Sequence, residues 1–451
     1  MLVLGASGFI GRHACAAMLA EGFHVIAGVR RVPAHDAPEA PHSGHACTAS
    51  EFRAVDFARM TAAGDWAPLL ADVDAVVNLV GIFRETATQR FDVLHRAAPQ
   101  ALFDACQRQR VRLVVQMSAL GADEHALTDF HRSKRTADQH LLGLGIDAVV
   151  LQPSLVFGAD GTSAQLFCAL ATLPWLALPG GGGQPVQPVH VDDVAQAIVA
   201  LLAEWGGQRG GQRGGQTPWR SGRLALVGPA PMPLAGYLQA LRHGLGLRGK
   251  AWLLPLPRAL ARALMPLAER ATGGVLGRDA LTMLDQGSVA DPSGLARVLG
   301  RPPRAVPAFI PPGLRGALRA QALQRWIHPL LRWSLAFVWI VTAAVSLGLY
   351  PVADSYALLA RAGVPAALQP LALYGAALLD LALGVLCVLP RRPRWLWLVQ
   401  IALILGYTAI ISVRLPEYWL HPYGPLSKNV PMLAVLWWLH LTEERAWTMS
   451  R

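Results

Sequence analysis

The chain has 451 residues, enough for two or three domains; 53% are hydrophobic, only 15% are charged, and the mean hydropathy is +0.34. That is too apolar for an ordinary soluble enzyme and puts part of the chain in lipid. The net charge of +11 comes from dispersed arginines that flank apolar segments without forming a nucleic-acid module, so the expected partner is an anionic bilayer and not nucleic acid.

Leu2-Val3-Leu4 is a short apolar run that breaks into Gly5-Ala6-Ser7-Gly8-Phe9-Ile10-Gly11. His13 to Glu21 then reads as a helix, stopped by Gly22, and Phe23 to Val29 as a second, β-branched strand. Strand, glycine turn, helix and strand of this size form a cradle for a dinucleotide pyrophosphate: free backbone N–H groups and a positive helix end face the phosphates. Only four residues precede Gly5, so the first strand is either clipped or starts upstream. The second strand ends in Arg30-Arg31, where sites for NAD carry an acid. Guanidinium groups there suit the 2′-phosphate of NADP, which is favoured over NAD.

A further strand is expected to end at Ala54-Val55-Asp56, with others at Ala75 to Leu79, Leu113 to Met117 and Ala148 to Leu151, and Phe91 to Arg110 as an amphipathic crossover helix. Such alternation implies an α/β fold, a doubly wound parallel sheet with its ligand at the strand C-terminal ends and a small substrate-binding half behind it. Residues 206–216, a Gly-Gln-Arg repeat, read as a flexible surface loop, and Leu224 to Val227 as a returning strand. Residues 230–325 read as helical, proline-interrupted and arginine-rich. Within them, Pro257 to Ala271 is amphipathic and arginine-flanked, either lying on a membrane or forming a lid helix. Five scattered cysteines without a Cys-x-x-Cys pair indicate neither a metal site nor a disulfide framework, and they fit a reducing cytoplasm.

From about residue 326 the character changes to an all-α membrane domain. Trp333–Tyr350, Leu371–Leu389 and Trp395–Val413 are near membrane-spanning length; Val430–Leu441 is shorter and spans only if it extends back past Lys428. Arg315, Arg319, Arg325 and Arg332 are expected to precede the first helix, and Arg391-Arg392-Pro393-Arg394 joins the second to the third. Both clusters belong on the cytoplasmic side, which leaves the N-terminal domain and the Arg445–Arg451 tail cytoplasmic in a multi-pass protein of the cell inner membrane. No signal-peptide pattern opens the chain, which agrees. Asp380, central in its apolar segment, is a functional or structural candidate with Lys428, Tyr407 and Asn429 as possible partners.

With these motifs in place, residues 1–325 resemble an atypical or extended short-chain dehydrogenase/reductase, most similarly the branch of the nucleotide-binding accessory subunit of respiratory complex I. The resemblance rests on the Gly5 to Gly11 turn, Val77-Asn78-Leu79-Val80-Gly81, Met117-Ser118-Ala119-Leu120-Gly121-Ala122, Ser133-Lys134, Gln152-Pro153-Ser154-Leu155-Val156-Phe157-Gly158 and Val189-His190-Val191-Asp192-Asp193-Val194-Ala195. Residues 326–451 resemble the DoxX-like four-helix membrane family, through Leu379-Asp380-Leu381-Ala382-Leu383-Gly384 and Lys428-Asn429-Val430-Pro431.

The dehydrogenase resemblance implies a serine, a tyrosine and a lysine in catalysis: Ser118 and Lys134 match, but Phe130 stands where the tyrosine belongs. A phenyl ring has no proton to give. Either another acid substitutes (His131 or His125), or the acceptor needs no protein proton, as with a quinone, or the cofactor is bound without turnover. The resemblance also puts Asp56 and Phe57 beside the adenine, and Leu79, Val80 and Gly81 where the backbone passes the cofactor. Asp56 is equally a strand-end cap, and Asp192-Asp193 reads as a helix N-cap. The expectation is a membrane-anchored NADP(H)-binding domain that meets a hydrophobic small molecule or a membrane protein complex. A non-catalytic scaffold or redox sensor and a transporter regulated by NADPH are the competing readings.

Overall fold

The computed structural model describes residues 1–33, 47–207, 221–272, 277–390, 392–393 and 395–443. It divides into two units, Met1–Ala322 and Leu323–Arg451. Most of the Gly-Gln-Arg repeat, Arg391, Arg394 and the Arg445–Arg451 tail lie outside the described residues.

The first unit is built on β1 (Leu2–Leu4), α1 (Phe9–Ala20), β2 (Ile26–Val29), β3 (Glu51–Ala54), β4 (Ala75–Asn78), α2 (Ala98–Arg108), β5 (Leu113–Met117), α3 (Asp129–Gly143), β6 (Asp147–Pro153), α4 (Val191–Gly207) and β7 (Ser221–Leu226). A single turn of π-helix, Asp92–Ala97, leads into α2, so the expected crossover helix is not uniform. The strands form one sheet in the order β7-β6-β5-β4-β1-β2-β3, with every pairing parallel. The strand order reverses between β1 and β4, and the C-terminal ends of those parallel strands open the crevice where such folds take ligands.

Side-chain alternation along each strand separates two cores. Val3, Leu113, Val115 and Met117 face one layer, with Ala14 and Met18 of α1 and Ile198 and Leu202 of α4. Leu2, Leu4 and Val114 face the other, with Leu102 and Phe103 of α2 and Ala137 and Leu141 of α3. Strands buried on both faces read as continuous apolar runs, which explains why β4 and β5 were visible as short unbroken stretches.

A third core, around Phe157, Leu178, Tyr237 and Phe309, belongs to the smaller half. Its helices are Thr162–Thr172 and Leu234–Gly244, and its two-stranded parallel ribbon pairs Trp175–Pro179 with Trp252–Leu256. The expectation of purely helical structure over residues 230–325 is therefore corrected. Trp252–Leu256 is a strand because a distant partner supplies its hydrogen bonds, which no local pattern records.

In the second unit, three helical stretches are long and apolar enough to cross a membrane: Pro312–Leu349 (beginning in the first unit), Ala366–Val388 and Trp395–Arg414. The helix Arg315–Ala344 already contains Arg315, Arg319, Arg325 and Arg332, so these arginines extend the first helix and do not precede it. The last helix, Asn429–Thr442, starts after Lys428 and has 14 residues, so the backward extension it needed to span is not present. An additional helix, Val352–Arg361, fills the first connection. Gly384 allows close helix packing, since a Cβ there would lie 2.7 Å from Ile340 Cγ1.

Candidate functional site

The glycine turn adopts its shape for a separate reason at each of its three glycines. Gly5 has φ +74°, and a Cβ on it would stand 3.0 Å from the Leu79 carbonyl carbon, so the turn passes directly under the end of β4. A Cβ on Gly11 would lie 2.1 Å from Gly5 O, an overlap that no rotamer relieves. Gly8 begins α1 without a side-chain cap, and the first turn holds no acid. The amides and positive end of α1 are thus left to an anion, and the turn fits a dinucleotide pyrophosphate.

Phe9 is seated by a second glycine pair. Cβ atoms on Gly158 or Gly161 would come within 2.6 and 2.9 Å of its ring, which gives the Gln152 to Gly158 motif a physical reason. Ala6 is fully buried. Arg12 donates to Ser7 O at 3.0 Å and pairs with Asp160 at 2.7 Å, clamping the turn to the loop after β6. Asp192 pairs with Arg304 at 2.9 Å, while Asp193, fully buried, accepts from Arg301 at 2.6 Å and from the Arg304 amide at 2.7 Å. Those two carboxylates hold chain segments together.

Along the crevice, Asn78 ends β4 with its amide on Gln116 Oε1 at 2.7 Å and its carbonyl oxygen accepting from Val80 N at 3.2 Å. The Leu79-Val80-Gly81 backbone therefore has a fixed exit. α3 begins where Thr128 Oγ1 accepts from the His131 amide. Phe130, Lys134 and Asp138 follow at intervals of four, so they share one face. Lys134 is 4% exposed and donates to Val80 O at 3.1 Å and Met117 O at 2.9 Å, joining the ends of β4 and β5. A Cβ on Gly81 would be 3.2 Å from Lys134 Nζ. Burial pulls the ammonium down to about 8, against the opposing pull of Asp138.

Ser118 turns its hydroxyl inward and donates to Asp138. Burial pushes Asp138 up to about 6, although Ser118 and Lys134 both favour its ionised form. Its Oδ1 has no hydrogen-bond partner among the described residues. Sequence reasoning missed Asp138, although its place one helical turn beyond Lys134 was a usable signal.

Phe130 is 6% exposed and stacks on Phe83, with ring centroids 5.2 Å apart and planes 8° from parallel. Phe91 and His95 meet it edge-on. His95 accepts from Ile82 N at 3.0 Å, and its other ring nitrogen lies 3.1 Å from Ser133 Oγ. Burial, followed by the nearby Lys134 charge, drops it to about 2, so it stays neutral. His131 is buried, lowered by that burial, and its Nδ1 is unpartnered among the described residues. His125 lies in the preceding loop and is exposed. Neither Phe83 nor His95 was singled out from sequence, because the loop after β4 brings Phe83 to α3 and the π-helical turn Asp92–Ala97 brings His95.

At the far strands, Arg30 and Arg31 are exposed at the end of β2. Asp56 accepts from the Ala58 amide at 3.1 Å, capping its own turn, and Phe57 is buried edge-on against Trp66 at 5.0 Å. Among the described residues, no cluster of His, Cys, Asp and Glu could hold a metal.

In the second unit, Asp380 is 5% exposed and its Oδ1 has no hydrogen-bond partner among the described residues. Of its expected partners, Asn429 instead donates to Thr408 Oγ1 at 2.8 Å. Elsewhere in this unit Trp339 Nε1 donates to Gln400 Oε1 at 2.7 Å, a buried contact.

Comparison with known proteins agrees with this geometry. Residues 1–212 match the NAD dependent epimerase/dehydratase family, and residues 336–437 the DoxX-like family. Over 210 residues the chain is 27% identical to NADH dehydrogenase (ubiquinone) 1 alpha subcomplex subunit 9 of Arabidopsis thaliana mitochondria, covering 45% of this chain and 50% of that one. Over 204 residues it is 25% identical to ceramide reductase of Caulobacter vibrioides, covering 44% and 59%. The chain thus spans about half the length of these curated relatives. A nucleoside-diphosphate-sugar epimerase from Staphylococcus aureus superposes with a TM-score of 0.52 at 16% identity, over 68% of this chain and 98% of the other. An NADPH-dependent quinone oxidoreductase from Escherichia coli, complexed with NADPH, superposes with a TM-score of 0.50 at 16% identity, over 68% and 98%. At these identities the likeness concerns the fold.

Proposed function

From the premise that an NAD(P)-binding domain of the epimerase/reductase type is joined here to a DoxX-like membrane domain, we propose that the protein is a membrane-anchored NADP(H)-dependent reductase. Its acceptor is lipid-soluble, of the quinone or isoprenoid class. The observation that carries this reading is the Phe130–Phe83 stack beside Lys134. It replaces the usual phenol with an apolar wall, which favours an apolar acceptor that takes its proton from solvent. Bound NADPH would supply hydride. Lys134, held by two strand-end carbonyls, would hold the ribose hydroxyls, and Arg30 and Arg31 would take the 2′-phosphate. Ser118 acts through Asp138 in setting the position of α3. The relative named ceramide reductase supports a lipid acceptor.

The reading carries an orientation as well: an inner-membrane protein with its nucleotide domain cytoplasmic, supported by the arginines of residues 315–332 and by Arg392. The side of the C-terminus depends on Asn429–Thr442, whose 14 residues reach about 21 Å against a hydrocarbon core of about 30 Å.

A second reading, an NADP(H)-binding scaffold in a membrane complex, is favoured by His95. This imidazole beside Phe130 is held neutral and already engaged on both nitrogens, so it offers no replacement acid. The complex I subunit among the relatives supports it. Protein reconstituted in lipid separates the readings. The reductase reading expects NADPH oxidation with quinones and little with aldehydes. Tight NADPH binding without oxidation across that panel leaves the scaffold, and absence of NADPH binding defeats both.

A further inference from the structure

The smaller half of the first unit carries an apolar surface that the nucleotide site does not use. The strands Trp175–Pro179 and Trp252–Leu256 pair in parallel with Trp175 opposite Trp252 and Ala177 opposite Leu254. Side chains alternate along a strand, so these four share the outward face of the ribbon, while Leu176 and Leu178 point into the core. The two indole rings stack at 6.2 Å and remain 59% and 71% exposed.

Pro257 ends the ribbon and opens the helix Arg258–Ala271. Ala261 faces the domain, but Leu260, Leu264 and Leu267 form a separate exposed stripe. By helical spacing, Arg258 and Arg262 fall on the side opposite that stripe, and Arg270 on its flank. Arg248 and Lys250 sit just before the ribbon. A leucine stripe opposed by arginines, next to a pair of exposed tryptophans, is the arrangement of a surface lying at a lipid–water interface. An exposed apolar patch of this kind needs an occupant, and the same chain carries helices of membrane-spanning length.

We propose that the ribbon Trp175–Pro179/Trp252–Leu256 and the helix Arg258–Ala271 form a membrane-contact surface of the first unit. The indoles and leucines enter the headgroup–acyl boundary, while Arg270 on the flank of the stripe and Arg248 and Lys250 before the ribbon contact anionic headgroups; Arg258 and Arg262 face away, Arg258 near Asp285 at 3.8 Å. This goes beyond the reductase reading and does not depend on turnover of any cofactor. It gives the first unit a second attachment to the bilayer, in addition to its covalent tether.

The test uses the full chain in vesicles of phosphatidylcholine, with and without phosphatidylglycerol. Leu264→Cys and Trp252→Cys are labelled in separate preparations with an environment-sensitive fluorophore, alongside Gln107→Cys at an exposed polar position. Labelled unsubstituted protein gives the background from native cysteines. Nitroxide-labelled lipid is expected to quench the labels at positions 264 and 252 at least twofold more than the label at 107, and more strongly with phosphatidylglycerol. Quenching of those labels by aqueous iodide instead means that the face meets water, and overturns the proposal. Shielding from both quenchers means that protein covers the face, and also overturns it. Lipid quenching that ignores phosphatidylglycerol overturns the anionic contact. Either labelled position decides the matter if the other variant fails to fold.

Discussion

The ring of Phe130 lies almost parallel to that of Phe83, 5.2 Å between centroids, at the position one helical turn before a buried lysine. Phe91, His95 and His131 also pack against the Phe130 ring, and Lys134 lies one helical turn further along the same face of α3.

If the edge of the Phe130 ring faces the cofactor, Phe130→Tyr adds a proton donor to the site. A positioned general acid contributes about 10²- to 10⁴-fold, so NADPH-dependent aldehyde reduction is expected to rise into that range while quinone reduction changes little. Steady-state assays with both acceptors check this. Unchanged aldehyde reduction would show that the crevice does not place a carbonyl within reach of α3.

The glycine turn makes a sharper structural prediction. Gly11→Ala forces a Cβ to 2.1 Å from Gly5 O, and such overpacking costs about 3 kcal/mol or more. Loss of nucleotide binding and a lowered unfolding midpoint are expected. Gly64→Ala, with nothing within 4 Å of its Cβ, should be neutral or slightly stabilising, and denaturant titration of the pair separates the two.

If Arg30 and Arg31 hold the 2′-phosphate, the double change to Ala should weaken NADPH binding while sparing NADH. A charge-assisted hydrogen bond contributes about 1.5–3 kcal/mol, or roughly 10- to 100-fold in affinity. Titration of both nucleotides on both proteins measures it. A wild-type preference for NADH would overturn the assignment.

Asp138 sets a pH dependence whose sign follows from burial. Its folded value, about 6, lies above the ordinary 3.8, so between the two the folded state keeps a proton that the unfolded state has lost. Stability from this group is full below the unfolded value and is lost as pH rises through the folded one, a change of about 3 kcal/mol at most. Asp138→Asn should flatten that slope and leave the variant more stable at neutral pH. Pulse proteolysis in urea across the acid range reads the slope directly.

In the membrane unit, Asp380 is buried with one oxygen unpartnered among the described residues. Asp380→Asn is expected to impair function, and Asp380→Glu to do so more mildly. Equal activity of both variants with wild type in reconstituted vesicles would remove the residue from any functional role.

Much of this was legible in the chain itself. The strand–turn–helix unit from Leu2 to Val29 was readable because its signals are local: an apolar run, three glycines and a helix stop. β5 was legible from Leu113 to Met117 because a strand buried on both faces writes itself as an unbroken apolar stretch. The strand Trp252–Leu256 was not, since its hydrogen-bonding partner, Trp175–Pro179, is distant in sequence, and no local signal marked the π-helical turn at Asp92–Ala97.

The site divides in the same way. That residue 130 lacks a titratable group is a fact of composition, and the sequence by itself determined it, together with the glycine turn and the apolar length of three helices. Only the tertiary structure decided what surrounds that residue. Phe83 stacks on Phe130, His95 is held neutral beside it, and Asp138 lies behind Ser118. The loop after β4, the π-helical turn Asp92–Ala97 and the end of β5 each bring one of these contacts to α3. Burial, which shifts the charge states of Lys134 and Asp138, exists only once the sheet and its helices have closed over them.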